Sequence, residues 1–158
     1  AGEVSVRILQ LTDASVVPLG QISAADQKGD YKRGLTLVLE EVDRNEETKA
    51  EAIKLSEELK NMALNLGAVR PEKAAHVGLQ ATTSGLELVQ RLINYNSYTQ
   101  ELLSVLQTRL KSNGSPETKQ RIEQIILRMN QEAEAVNELH DRYKEEMREF
   151  DRLTKLGF

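Results

Sequence analysis

The chain contains no cysteine. Disulfides, thiolate metal ligands and thiol nucleophiles are therefore excluded, while the compartment is left open. Aromatic residues make up only 4% of its 158 residues, against 29% charged. A chain so short of large rings and so rich in Glu, Leu, Lys, Arg and Ala suits long solvated helices better than a compact α/β core. No run approaches the roughly eighteen apolar residues of a membrane span. No basic stripe occurs either: the net charge is −4 with acids and bases interspersed, so nucleic-acid binding lacks its electrostatic footprint. Because no helical face is both basic and apolar, binding to a lipid surface is disfavoured as well.

What is present is periodicity. From Ser115 to Leu156 every seventh residue is large and apolar: Ile122, Met129, Val136, Tyr143 and Phe150. Ile125, Ile126, Ala133, Leu139, Met147 and Leu153 fill the three- and four-residue offsets of one helical face. Ser115 and Pro116 supply an N-cap and a first-turn proline, and Gly157 stands at a C-cap position. A strict seven-residue repeat of this length implies a left-handed supercoil against long partner helices, a coiled-coil geometry.

Two earlier stripes supply the partners. One starts at Ser23 or, past Gly29, near Asp30; it runs through Tyr31, Leu35, Val38 and Val42, falters at Asn45 and Lys49, and resumes from Ala52 to Leu66. A continuous helix ending at Gly67 is expected, with a break near Asn45 as the alternative. The next stripe carries Ala75, Gly78, Thr82, Gly85, Val89, Leu92, Asn96, Leu103 and Leu110, between Pro71 and the breaker Lys111–Gly114. Short connections make neighbouring helices antiparallel. The expected fold is all-α: an elongated antiparallel bundle of three long helices over about residues 23–66, 71–112 and 116–156, with a β appendage over residues 1–22.

The hairpin of the last two stripes has a testable register. A turn near Gly114 makes facing residue numbers add to about 228. Gly85 then faces Tyr143 and Gly78 faces Phe150, small against large, as close packing requires. The same register sets Asn96 opposite Glu132 and Thr82 opposite Glu146, and folding the first helix back brings Ser56 near Thr82. Two polar layers in an apolar bundle are expected to fix register, with both acids reaching solvent at the margin of the stripe.

Catalytic and metal chemistry finds little support. His76 and His140 match neither HExxH nor the Glu-x-x-His pairs of di-iron bundles. Gly78 and Gly85 are packing glycines rather than a phosphate loop, and no serine, histidine and acid fall together in this register. The expectation is a chain that is not an enzyme, with no cofactor and no metal. Tyr95, Asn96 and Tyr98 with Glu132 are the residues of an alternative reading, an extracytoplasmic sensor binding a small ligand within the bundle. A carboxylate-based metal or hydrolytic site ranks third.

The N-terminal segment asks for something beyond the bundle. Val4, Val6 and Ile8 alternate with Glu3, Ser5 and Arg7, a strand pattern, and Ala14–Leu19 reads as a second short strand with Pro18 at an edge. Two strands alone are marginal in water, so the segment either lies on the helices or pairs with another chain. Val4, Val6 and Ile8 are the candidate partner-binding residues of an interaction and assembly module. Its partner is another protein or a second copy, giving a homo-oligomer. A start at Ala1 without methionine fits either processing of an exported protein or simple trimming; we lean to an extracytoplasmic setting, periplasmic or secreted, with the cytoplasm as the alternative.

Overall fold

The structure is a computed structural model, and it describes residues 18–111 and 116–155. The expected strand with Val4, Val6 and Ile8, the turn at 112–115 and the Gly157 cap lie outside those residues. The fold is all-α: apart from short connections, the described chain is helical.

Residues 18–28 form α1. This corrects the edge strand expected up to Leu19, and it puts residues 18–22 in a helix. Its end is a Schellman cap: the Gly29 N–H donates to the Asp26 carbonyl at 3.1 Å and the Asp30 N–H to the Ala25 carbonyl at 2.9 Å. Gly29 adopts φ +70, a left-handed conformation that glycine reaches without a side-chain penalty. Asp30 then caps the next helix, its Oδ1 accepting from the Arg33 N–H at 3.3 Å. Gly29 therefore does not weaken a first turn; it separates two helices.

The second helix, α2 (Tyr31–Asn65), is continuous through Asn45. Its buried residues are Gly34, Val38, Glu41, Asn45, Thr48, Ala52, Leu55 and Leu59, an unbroken alternation of four- and three-residue steps. The apolar stripe falters at Asn45 because polar side chains occupy the buried positions there. The helix continues because those side chains are bonded: Asn45 Nδ2 donates to the Asn96 carbonyl at 3.0 Å, and the Thr48 hydroxyl to the Arg44 carbonyl at 2.9 Å.

A 3-10 turn (Leu66–Ala68) leads to α3 (Glu72–Lys111), whose first turn begins with the Ala74 N–H donating to the Pro71 carbonyl at 2.8 Å. The last helix is α4 (Pro116–Lys155). Two glycines show how the long helices meet. A Cβ on Gly85 would lie 2.9 Å from the Leu59 methyls and 3.2 Å from the Tyr143 ring; one on Gly78 would lie 2.9 Å from the Phe150 ring and close against Leu66. The α3–α4 pairs add to 228, the register read from the sequence, and the helices run antiparallel. The α2–α3 pairs add to 144 rather than to the 138 of Ser56 and Thr82, so those two residues are not level. Residues 67–71 climb along the axis before α3 begins, which leaves the first turn of α3 beyond the end of α2.

Because α3 lies between α2 and α4, it is buried over a wide face. One core joins all three long helices through Leu55, Leu59, Leu88, Leu92, Val136 and Tyr143. Towards the other end, Ile22 of α1 joins Val38, Leu103 and Leu110, while Leu102, Val105, Ile125 and Met129 form a third cluster flanked by Leu19. Ile22 is 0% exposed. The core thus begins well before Tyr31, where the sequence stripe placed its start, and Tyr31 itself is exposed.

Candidate functional site

The polar residues singled out in the sequence do not converge. Asn96 is buried, and its backbone oxygen accepts from Asn45, while its own Nδ2 is buried without a partner. Glu132 points elsewhere along α3, accepting from Arg91 Nη1 at 3.3 Å and Asn94 Nδ2 at 3.4 Å. No hydrogen bond joins Asn96 to Glu132. Nor does Glu132 sit at the margin: it is 9% exposed, in the same four-and-three series as Ile125, Met129, Val136, Leu139 and Tyr143. Arg91 and Asn94 supply the partners that allow a carboxylate to occupy a buried position.

The buried polar layer belongs instead to α2 and α3. Glu41 is 0% exposed and pairs with Arg44, one turn on, and Asn45, Thr48, Asn96 and Thr99 are buried beside it in the sequence of layers. In the 144 register Thr48 is level with Asn96 and Asn45 with Thr99. Glu41 escaped the sequence reading because Val38 and Val42 outlined a plausible apolar stripe. The four-and-three spacing, extended back from Leu59, Leu55 and Ala52, is the signal that identifies it. Tyr95 and Tyr98 are half-buried on the flank, where they cover the third core cluster, and the Arg128 guanidinium lies 5.8 Å from the Tyr98 ring centre.

The titration of Tyr143 yields a prediction. Its hydroxyl is buried without a partner. Burial, and secondly the nearby Glu58 carboxylate, hold its phenol above the ordinary value. The folded state therefore favours the neutral phenol. That contribution is complete below the unfolded pKa of about 10 and is lost as pH rises from there through the folded pKa. Tyr143→Phe removes the orphan hydroxyl and should leave stability at neutral pH equal or raised by about 1 kcal/mol. Its advantage over the parent should widen above about pH 10 in denaturant midpoints followed by helix signal. A gap that narrows there would contradict the buried, neutral phenol.

A largely apolar cleft of about 540 Å³ lies between α1, α3 and α4. Leu19 of α1 forms one wall. From α3 come Tyr95, Leu102 and Leu106, and from α4 Ile122, Ile126, Met129 and Ala133. Polar groups stand among them: Ser23, Gln27, Asn130, and the Asp26–Arg109 ion pair, whose 2.9 Å contact ties α1 to α3. Further along the α3–α4 seam, a groove of about 450 Å³ is lined by Gln90, Arg91 and Asn94 of α3 and by Leu139 and Arg142 of α4. Arg121 bridges α4 to Glu101 of α3 at 3.1 Å near the opposite end. The sequence reading missed the cleft because its walls come from three separate helices, at positions scattered between Leu19 and Ala133, and a stripe reports only which face turns inward.

Among the described residues, no three of His, Asp and Glu stand together as metal ligands, and no helix is long and apolar enough to cross a membrane. Comparison with protein-family models, curated proteins and solved structures finds no match to this chain.

Proposed function

We propose that this chain is a non-enzymatic protein–protein interaction and assembly module. It would be a rod-like antiparallel bundle of three long helices that offers the α1–α3–α4 cleft as its contact surface. The supporting observation is the cleft itself: Leu, Ile, Met and Tyr side chains line an open depression with polar groups among them. Interfaces with aromatic and methionine anchors inside a polar surround have this character. Ile126 of the cleft is 42% exposed, so an apolar side chain is available there for contact.

Ile126→Glu tests this reading, because the exposure of Ile126 lets the bundle accept a charge there. Its helical signal and unfolding midpoint should match those of the parent. Sedimentation at several concentrations, and pull-down with partners identified and verified, should show association reduced at least about tenfold. Equal association of parent and variant would take the cleft out of the mechanism.

A second reading retains the small-ligand sensor, moved from Asn96 and Glu132 to the cleft. The cleft volume suits a small molecule, and Tyr95 lines it. A metabolite that raises the melting temperature of the parent but not of Ile126→Glu would favour this reading.

A further inference from the structure

We propose that the outer face of α3 joins two copies of this chain, antiparallel about a two-fold axis level with position 88. Leu79 of each copy then meets Ser97 of the other, Leu86 meets Gln90, and Ile93 meets Thr83. This is a second surface, and it does not rest on the cleft. Its origin is a stripe that the bundle leaves unused. Leu79, Thr83, Leu86, Gln90, Ile93 and Ser97 follow one another at alternating four- and three-residue steps, the spacing of a two-stranded coiled-coil seam. Leu79 is 54% exposed and Leu86 42%, while Ile93 is half-buried against the core.

Two properties suit this stripe to burial. It carries no charge, whereas every exposed residue of α4 from Glu134 to Arg148 except Asn137 is charged. Its polar side chains are already bonded within the helix. The Thr83 hydroxyl donates to the Leu79 carbonyl at 3.0 Å, the Ser97 hydroxyl to the Ile93 carbonyl at 2.8 Å, and Gln90 Nε2 to Asn94 Oδ1 at 3.1 Å. Covering the stripe therefore strands no hydroxyl donor.

The stripe also selects its occupant. Positions that add to 176 set an apolar side chain against a polar one in every layer, and the largest apolar groups at the ends against a serine or a threonine. Bulky against small is what interdigitation requires. A parallel pair would instead set Leu86 on Leu86 and leave Thr83 and Ser97 facing their own copies across a gap. In a two-fold contact a charge near the axis meets its own copy, and this stripe has none to repel. From Leu79 to Ser97 the contact is about 27 Å long. Because α2 runs along one flank of α3, the two-fold places it beside the same helix of the other copy and makes the contact two helices, about 20 Å, wide. Interdigitated side chains over that footprint supply the roughly 800 Å² per partner of a standard interface. Tyr95, Leu102 and Leu106, which line the cleft, stand about 140–180° around α3 from the stripe, so both surfaces can be occupied at once.

The test begins with sedimentation of the full chain at several concentrations, which should show a monomer–dimer equilibrium. Leu86→Glu, at an exposed position that tolerates a charge in the monomer, should keep the helical signal and weaken the dimer at least about tenfold. Ile126→Glu should leave this step unchanged and remove only the further association made through the cleft. Register and direction are read by cross-linking, since the chain has no cysteine of its own. Leu79→Cys combined with Ser97→Cys should give a disulfide-linked dimer under mild oxidation. Either substitution alone should not, because each position stands about 27 Å from its own copy in the antiparallel pair. A parent that stays monomeric at every concentration would overturn the proposal, as would a dimer indifferent to Leu86→Glu. Cross-linking by a single variant would mean a parallel pair and a wrong register. A dimer dissolved by Ile126→Glu but not by Leu86→Glu would seat the second copy in the cleft, which overturns this face while supporting the cleft reading.

Discussion

Gly85→Leu is expected to destabilise the bundle by about 1–3 kcal/mol, read as a lowered denaturant midpoint with an unchanged slope. Two terms compete. Replacing a mid-helix glycine gains up to about 1 kcal/mol of helix propensity. Against this, the first added carbon already lies 2.9 Å from both methyls of Leu59 and 3.2 Å from the Tyr143 ring. Leu59 is fully buried, so its methyls cannot swing into solvent, and the remaining three carbons of the new side chain must displace a packed core. Overpacking wins. The contact itself is tested by adding Leu59→Ala. Alone, that change opens a cavity worth about 2–5 kcal/mol. Combined with Gly85→Leu it returns volume to the same place, and the double variant should be more stable than the summed losses imply by about 0.5–3 kcal/mol. Additive losses would mean that Leu59 and Gly85 do not touch and that the 144 register is wrong.

The α3–α4 pairing was legible because it is written twice, once as a four-and-three spacing on α4 and once as glycines set against aromatics on α3. Either signal alone is ambiguous; their agreement at one register is not. The α2 stripe was legible only where its buried residues are apolar. At Glu41, Asn45 and Thr48 the spacing persists but the chemistry changes, and hydropathy alone suggested an interruption. What holds the helix together there is a bond from Asn45 to the Asn96 carbonyl, 51 positions away, which no local pattern encodes. The α1 helix was hidden for a different reason. Pro18 and Gly20 are poor helix-interior residues, and a valine run precedes them, so local propensity pointed to a strand. Proline is nonetheless accommodated in a helix's first turn, and the burial of Ile22 and Ala25 outweighs one glycine. The cleft inherits this difficulty, since it exists only because α1 docks beside α3.

Ile22→Ala should therefore cost about 2–5 kcal/mol, the loss expected for truncating a core isoleucine. On the sequence stripe alone, with a core starting at Tyr31, the same substitution would count as a surface change within about 0.5 kcal/mol. The structure places Ile22 at 0% exposure among Val38, Leu103 and Leu110. One turn later, Ala25 packs toward Gly34, and the Asp26–Arg109 pair anchors the end of the helix. Truncating Ile22 removes the central contact of this set. Gln21→Ala, at an exposed neighbour on the same helix, is the control and should change stability by no more than about 0.5 kcal/mol. Denaturant midpoints measure the total loss, and hydrogen exchange locates it. Local undocking would accelerate exchange in α1 alone and leave the global midpoint near that of the parent. A docked α1 that shares a core with Leu103 and Leu110 should instead lower the protection of the adjoining turns of α3 together with its own. Because α1 is also one wall of the cleft, the outcome bears on the contact surface as well. If Ile22→Ala behaves like Gln21→Ala, α1 is not held where the structure puts it, and the cleft has no third wall.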